Sequence, residues 1–354
     1  MRDRLIEQPQ AKRLLTAALR EGPAHAYLLH GPPGVGKRLA AVAFAAGLLG
    51  DGDRVERGAH PDLYVLEPHG DQIRIDDVRE LRRDLHMRPF EADRRVYLIF
   101  DAHLLNAEAA DSLLKDLEEP PPYAVVVLAA DELGPIPETI RSRCQLVPFL
   151  RLSERAVRAE AERLAPGLSP EALTTIARVA AGRLDRVARL LDSDAVRRRD
   201  ELLAVARSAY ADPGFDPAAA AQTMTALAAE RGAAERAAAE EAIAGRDLPD
   251  READQHVRRA ERGAEREEIL FSLEELAAWY RDLVVVAVGA ERVVVNHDRI
   301  AELAADGTPE RMLAAEQAAE AVRSTWRTFE EFNVTAALAL EAMFVRVRRS
   351  FSTV

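Results

Sequence analysis

Ala26-Tyr-Leu-Leu-His30-Gly31-Pro-Pro-Gly34-Val-Gly36-Lys37-Arg38 is the stretch on which the fold turns. A short apolar run ends in a glycine-rich turn, and from residue 38 to 49 small and apolar residues recur at the spacing of a buried helix. Gly31, Gly34, Gly36 and Lys37 fall in the pattern G-x4-G-K, the phosphate-binding loop. There, backbone N–H groups wrap phosphate oxygens, the helix N-terminus adds partial positive charge, and the lysine reaches the terminal phosphates. The eighth position is Arg38, where a serine or threonine hydroxyl would ligate Mg²⁺. Nucleotide binding is expected at this loop, with metal-assisted hydrolysis impaired.

Outward from the loop, strands are expected at 62–67, 95–100, 124–130 and 145–149, and helices near 76–87 and 107–117. Apolar β-branched runs alternating with amphipathic helices predict an α/β module with a parallel sheet covered on both faces, spanning 1–150. Val96-Tyr-Leu-Ile-Phe-Asp101-Ala102-His103 is an apolar strand ending in an acid, the Walker B pattern that directs Asp101 toward the metal region. A working ATPase of this kind follows that acid with a glutamate to activate water. Ala102 can neither accept a proton nor orient water. His103 is read as a packing or surface histidine or, alternatively, a substitute base. In Ile140-Arg141-Ser142-Arg143-Cys144-Gln145, two arginines precede the closing strand. On chemistry alone they are either a surface pair or the source of an arginine finger acting in trans on a neighbour's γ-phosphoryl group.

Beyond residue 150 the strand signal fades. Residues 153–164 and 169–192 read as helices, each opening with a serine N-cap (Ser153 and Ser169) followed by acid. Residues 230–268 hold twelve acids and eight arginines. They are expected to form a solvated helical arm or hairpin, interrupted near Asp247–Asp250; a specific acidic docking surface is the alternative. Strong helical periodicity returns at 269–289, 298–305 and 308–349. The domains expected are therefore 1–150, 151–205 and an all-helical 206–354 carrying the charged segment.

Composition narrows the function classes. A chain of 354 residues suits two or three domains, and 48% hydrophobic with 31% charged residues suits ordinary cores. The net charge of −12 confines any nucleic-acid contact to a local patch. A single cysteine, Cys144, excludes a disulfide framework and a cysteine-built zinc site, and fits a reducing cytoplasm. The opening residues lack an apolar region and no later run approaches 18 apolar residues, so neither export nor membrane spanning is expected. Only three of the 48 basic residues are lysines, and two of them, Lys37 and Lys115, lie in motifs.

Four strings, HAYLLHGPPGVGK (25–37), GAHPDLYVLEP (58–68), NAEAADSLLKDLEEPPPYAVVVLAA (106–130) and IPETIRSRCQ (136–145), resemble the bacterial clamp-loader AAA+ family of DNA polymerase III. Among its subunits the resemblance is to the delta-prime type. It implies a RecA-like AAA+ module, a small three-helix lid, and a C-terminal helical collar through which five subunits form a ring. It further implies that Arg143 is a finger acting in trans, that Lys37 with Gly31, Gly34 and Gly36 is the phosphate loop, and that Gly182 with Arg186 is the lid's sensor-two region. His25 and residues 5–11 resemble the segments flanking the adenine pocket, and Lys115 matches the lysine of LLKxLEEPP. The implied partners are gamma/tau-like and delta-like subunits, the sliding clamp, and primed DNA through the assembled ring. The implied cofactor is ATP or ADP held without hydrolysis.

The chain departs from the family pattern in several places. Residues 48–59 lack the family's four-cysteine zinc module, the charged segment is long, and Ala129 and Ala130 stand where a sensor-one polar residue is expected. An active gamma/tau-like motor and a P-loop switch unrelated to replication are the rival readings. Arg38 and Ala102 oppose the first, and the LLKDLEEPP and SRC strings oppose the second.

Overall fold

The computed structural model describes residues 5–68, 72–244, 250–331 and 335–352. The N-terminal part alternates helix and strand: α1 (Pro9–Glu21), β1 (Ala26–His30), α2 (Lys37–Leu49), α3 (Gly52–Glu56), β2 (Leu63–Leu66), α4 (Ile75–Leu85), β3 (Arg95–Ile99), α5 (Ala107–Glu118), β4 (Ala124–Ala130), α6 (Glu138–Arg141) and β5 (Gln145–Pro148). The five strands form one parallel sheet in the order β2-β3-β4-β1-β5. This is the α/β architecture with a parallel sheet expected from the sequence. In this part the expected strands and helices agree with the observed ones to within two residues, and α1, α3 and α6 are additional; the helix expected over 169–192 is two, Pro170–Val179 and Leu184–Leu191.

Both faces of the sheet are covered, and strand periodicity sorts the side chains between them. Tyr27, Leu29, Val96, Leu98, Val125 and Val127 pack with α1 and α2 residues such as Leu15, Ala41 and Phe44. Their sequence neighbours Leu28, Tyr97, Ile99, Val126 and Leu128 pack on the other side with Val78, Leu81, Leu85 and Leu113 of α4 and α5. Every residue of β3 and β4 is therefore buried, which is why these strands read as unbroken apolar runs. Asp62, wholly buried just before β2, accepts N–H groups from Phe90, Glu91 and Ala92 and pins the segment leading into β3. The cysteine-free segment after α2 carries α3, capped by Asp51, which accepts from the Arg54 N–H.

The rest of the described chain is helical: α7 (Glu154–Leu164), α8 (Pro170–Val179), α9 (Leu184–Leu191), α10 (Ser193–Ala211), α11 (Pro217–Ile243), α12 (Asp250–Ala287), α13 (Ile300–Asp306), α14 (Met312–Glu331) and α15 (Ala336–Phe351), with short 3₁₀ turns between some of them. Ser153 and Ser169 cap as expected, accepting the N–H groups of Ala156 and Ala172.

By its contacts the chain divides into two compact units, Met1–Leu168 with Ala180–Val187, and Ser169–Val179 with Ala188–Val354. Residues 151–205 contribute to both. The second unit is built around Trp279, Tyr280, Leu273, Leu276, Leu340 and Phe344. It also buries charge: Arg199 donates to Glu275 (2.8 Å), Asp298 (2.7 Å) and Asn296 (2.6 Å). The charged segment lies along α11 and α12. Glu268 is buried between Arg189 and Arg198, so that end of the segment belongs to the core of its unit, not to a solvated arm. The expected interruption near Asp247–Asp250 falls, apart from Asp250, outside the described residues.

Candidate phosphate-loop site

The loop from Gly31 to Gly36 leaves the carboxyl end of β1 and enters α2, beside the ends of β3 and β4. In open parallel sheets the ligand crevice lies at these strand ends. Three glycines there hold positive φ: Gly31 (+140°), Gly34 (+68°) and Gly36 (+95°). They have different neighbours. A Cβ on Gly31 would lie 2.1 Å from the Phe149 carbonyl oxygen, and one on Gly34 would lie 1.8 Å from Asp185 Oδ1. A Cβ on Gly36 would meet nothing within 4 Å. The glycines at 31 and 34 are thus required by the protein's own packing, and the last by backbone conformation alone.

Lys37 is only 7% exposed and turned inward. Its Nζ donates to the carbonyls of Gly31 (2.6 Å) and Pro32 (2.5 Å) and pairs with Asp131 (2.7 Å). Asp131 follows β4 directly. Ala129 and Ala130, at the place expected for a sensor-one polar group, are buried in β4, and the acid that meets Lys37 is the next residue. A polar residue just past a strand adjacent to β1 was the available signal.

Arg38, at the hydroxyl position, pairs with Glu67 and stacks over the Phe100 ring at 4.1 Å. Its guanidinium is committed to neighbours and offers no oxygen to a metal. Asp101 stands two residues past β3, in the left-handed region (φ +50°). Burial pushes its carboxyl above the usual carboxylate range, and the charges of Asp131 and Glu67 push the same way, against His103 and Arg38. Ala102, behind it, is buried at 1% exposure. His103 Nδ1 faces the Asp131 N–H (3.4 Å), a long contact that leaves the imidazole near both acids. Donor atoms of Asp101, His103 and Asp131 lie within 4.8 Å of one another, a mixed set that can hold a divalent cation, although here the ammonium of Lys37 already supplies positive charge to Asp131. Burial, and then Lys37, hold the neighbouring His30 below its ordinary value.

The residues before and at the start of α9 also reach the loop. The Leu184 N–H donates to the Gly34 carbonyl (2.7 Å), and Arg183 pairs with Asp185 (2.6 Å) beside Gly34. Burial would raise Asp185, but the hydrogen bond and charge of Arg183 outweigh it and hold this carboxyl low. Arg186, the residue the resemblance singled out, is buried on the same helix. The three residues before it, which the sequence alone does not single out, touch the phosphate loop.

Arg143 sits apart from this cluster, after α6. Its guanidinium donates to the Thr139 carbonyl (2.8 Å) and pairs with Glu118 at the end of α5. Arg141 and Arg143 therefore differ in setting: Arg143 is the more exposed residue, while one guanidinium nitrogen of Arg141 is buried. Burial raises the Cys144 thiol to about 12.

Residues 7–153 match the family model described as DNA polymerase III, delta subunit. This stretch, less than half of the chain, is similar to clamp-loader subunits of DNA polymerase III. The Bacillus subtilis DNA polymerase III subunit delta' is 34% identical over 163 residues, covering 42% of this chain and 50% of that protein. The Pseudomonas aeruginosa subunit delta' is 39% identical over 136 residues, covering 34% and 42%. The Bacillus subtilis subunit tau is 33% identical over 159 residues, covering 41% and 28%. The chain thus spans half or less of the length of these curated relatives. Delta' and tau subunits are matched at comparable identity. A gamma-subunit-related protein from Thermotoga maritima aligns over 97% of this chain and 99% of its own, with 16% identity and a TM-score of 0.47. Among the described residues, no helix is long and apolar enough to cross a membrane.

Proposed function

We propose that the chain is a delta-prime-like stator of the DNA polymerase III clamp loader, a non-hydrolysing subunit that lends Arg143 to the nucleotide of a neighbouring gamma/tau-like subunit. One observation carries the reading. Of the two groups that a motor needs beside its P-loop, the hydroxyl is replaced by an arginine tied to Glu67 and Phe100, and the water-activating acid by a buried alanine. Lys37, Gly31, Gly34, Gly36, Arg38, Asp101 and Arg186 then form a site that holds ATP or ADP without hydrolysis once Lys37 leaves Asp131. The module 1–150, a lid over 151–205 and a collar over 206–354 would place this subunit in a cytoplasmic ring with gamma/tau-like and delta-like partners. That ring opens the sliding clamp and sets it on primed DNA.

The test is a ring reconstituted with its gamma/tau-type and delta-type subunits. Arg143→Ala should assemble normally while DNA-stimulated hydrolysis at the adjacent site falls by on the order of 10³. Unchanged turnover would refute the finger. The likeness to tau subunits favours, as a second reading, a gamma/tau-like motor, which Mg·ATP turnover by the isolated chain would reveal.

A further inference from the structure

We infer that Glu118, the first glutamate of the LEEPP string, is a positioning residue for Arg143: it parks the guanidinium against its own module until a neighbouring triphosphate draws it away. This rests on the finger reading above.

Both partners have fixed backbones. Glu118 is the last residue of α5, anchored through Leu113 and Leu117, and Pro120–Pro122 prevent the helix from continuing. Arg143 follows α6, which is anchored by the buried Ile136 and Ile140, and its own N–H donates to the Ile140 carbonyl (3.1 Å). The guanidinium donates through Nη1 to the Thr139 carbonyl and, at 3.3 Å, to Ser142 Oγ, and through Nη2 to Glu118 Oε1. Two of these three acceptors belong to the turn that carries the arginine and travel with it. Glu118 alone comes from another element, and it alone bears a charge.

The pair lies at the surface, with Arg143 33% and Glu118 49% exposed. An arginine keeps its charge at any relevant pH, so its readiness to act in trans is set by whichever anion it faces. A solvated carboxylate holds it only weakly, whereas a triphosphate presents several charges in a desolvated site and prevails. In the absence of such an anion, Glu118 keeps the guanidinium folded back. Glu118 therefore acts against premature engagement and leaves the engaged state unaltered.

Glu118→Gln preserves shape and removes the charge. In the isolated chain, phenylglyoxal should modify Arg143 faster in this variant than in the parent, as read by peptide mass spectrometry. In the reconstituted ring, turnover without DNA should rise about two- to fivefold, the DNA-stimulated maximum should stay within twofold of the parent, and the gain should vanish in the Glu118→Gln/Arg143→Ala double variant. If Arg143→Ala lowers turnover while Glu118→Gln changes neither arginine reactivity nor DNA-free turnover, the latch is overturned and the finger survives. If Arg143→Ala leaves turnover unchanged, the finger falls and the latch with it. A gain that persists in the double variant also overturns the latch, because Glu118 would then act through another group.

Discussion

Asp101 shows how one residue can be kept for geometry at a cost in stability. Burial holds its carboxyl proton more tightly in the folded chain than in the unfolded one. A carboxyl of that kind contributes stability below its ordinary range, and loses it as pH rises through the raised folded value. At neutral pH, Asp101 is therefore a net liability, tempered by His103 and Arg38. Asp101→Asn should raise the melting temperature at pH 7, and the gain should shrink as pH falls toward the ordinary carboxylate range. A melting temperature lowered at pH 7, or a gain independent of pH, would mean that the charge of Asp101 is needed structurally, as a partner to His103 or to a bound cation. Lys37 is the counterpart in the same crevice: its ammonium is satisfied by two loop carbonyls and Asp131, so a phosphate must compete with three existing partners for it.

At the scale of elements, α10 carries the most exacting polar demand in the second unit. Arg199 is almost fully buried and Glu275, its partner on α12, is 1% exposed. Arg199→Ala would take the guanidinium away from that buried carboxylate and from Asn296 and Asp298, a loss of about 3 kcal/mol. Both tryptophans, Trp279 and Trp326, lie in this unit. The denaturant midpoint of tryptophan fluorescence should therefore fall, and an unshifted midpoint would deny the network its role. The same scale explains what could be read in advance. Strands buried on both faces advertise themselves as apolar runs, and a phosphate loop advertises itself through glycines whose spacing is dictated by backbone conformation. Helix α1 is fainter, since alanines make up much of its buried face (Ala11, Leu15, Ala18). The pairs Lys37–Asp131 and Arg143–Glu118 were not legible at all. They join residues far apart in the chain through side chains that recur everywhere on protein surfaces, and only the fold brings them within reach. The burial of Glu268 was hidden for a related reason: a charge-dense helix looks solvated until its arginine partners on α9 and α10 are known.

For the whole molecule, the question is whether the proposed nucleotide site would work alone or only serve an assembly. Hydrolysis needs a metal held near the β- and γ-phosphates and a base for the attacking water, and the chain lacks the side chains for both at the expected places. The loss is not a matter of two side chains that could be exchanged. Ala102 is packed into the core formed with α5, so a glutamate there would have to displace neighbours, at a typical overpacking cost of about 1–3 kcal/mol. Arg38 is held by Glu67 and stacks over Phe100. The isolated chain with Mg·ATP should accordingly release no phosphate above buffer, and Arg38→Thr/Ala102→Glu should stay equally silent despite restoring the expected residue types. Measurable turnover by the parent chain would make it a motor and remove the reason to look for its chemistry in a neighbour. Turnover by the double variant alone would show that the crevice can still be completed, so that the silence of the parent lies in two side chains and not in the packing around them.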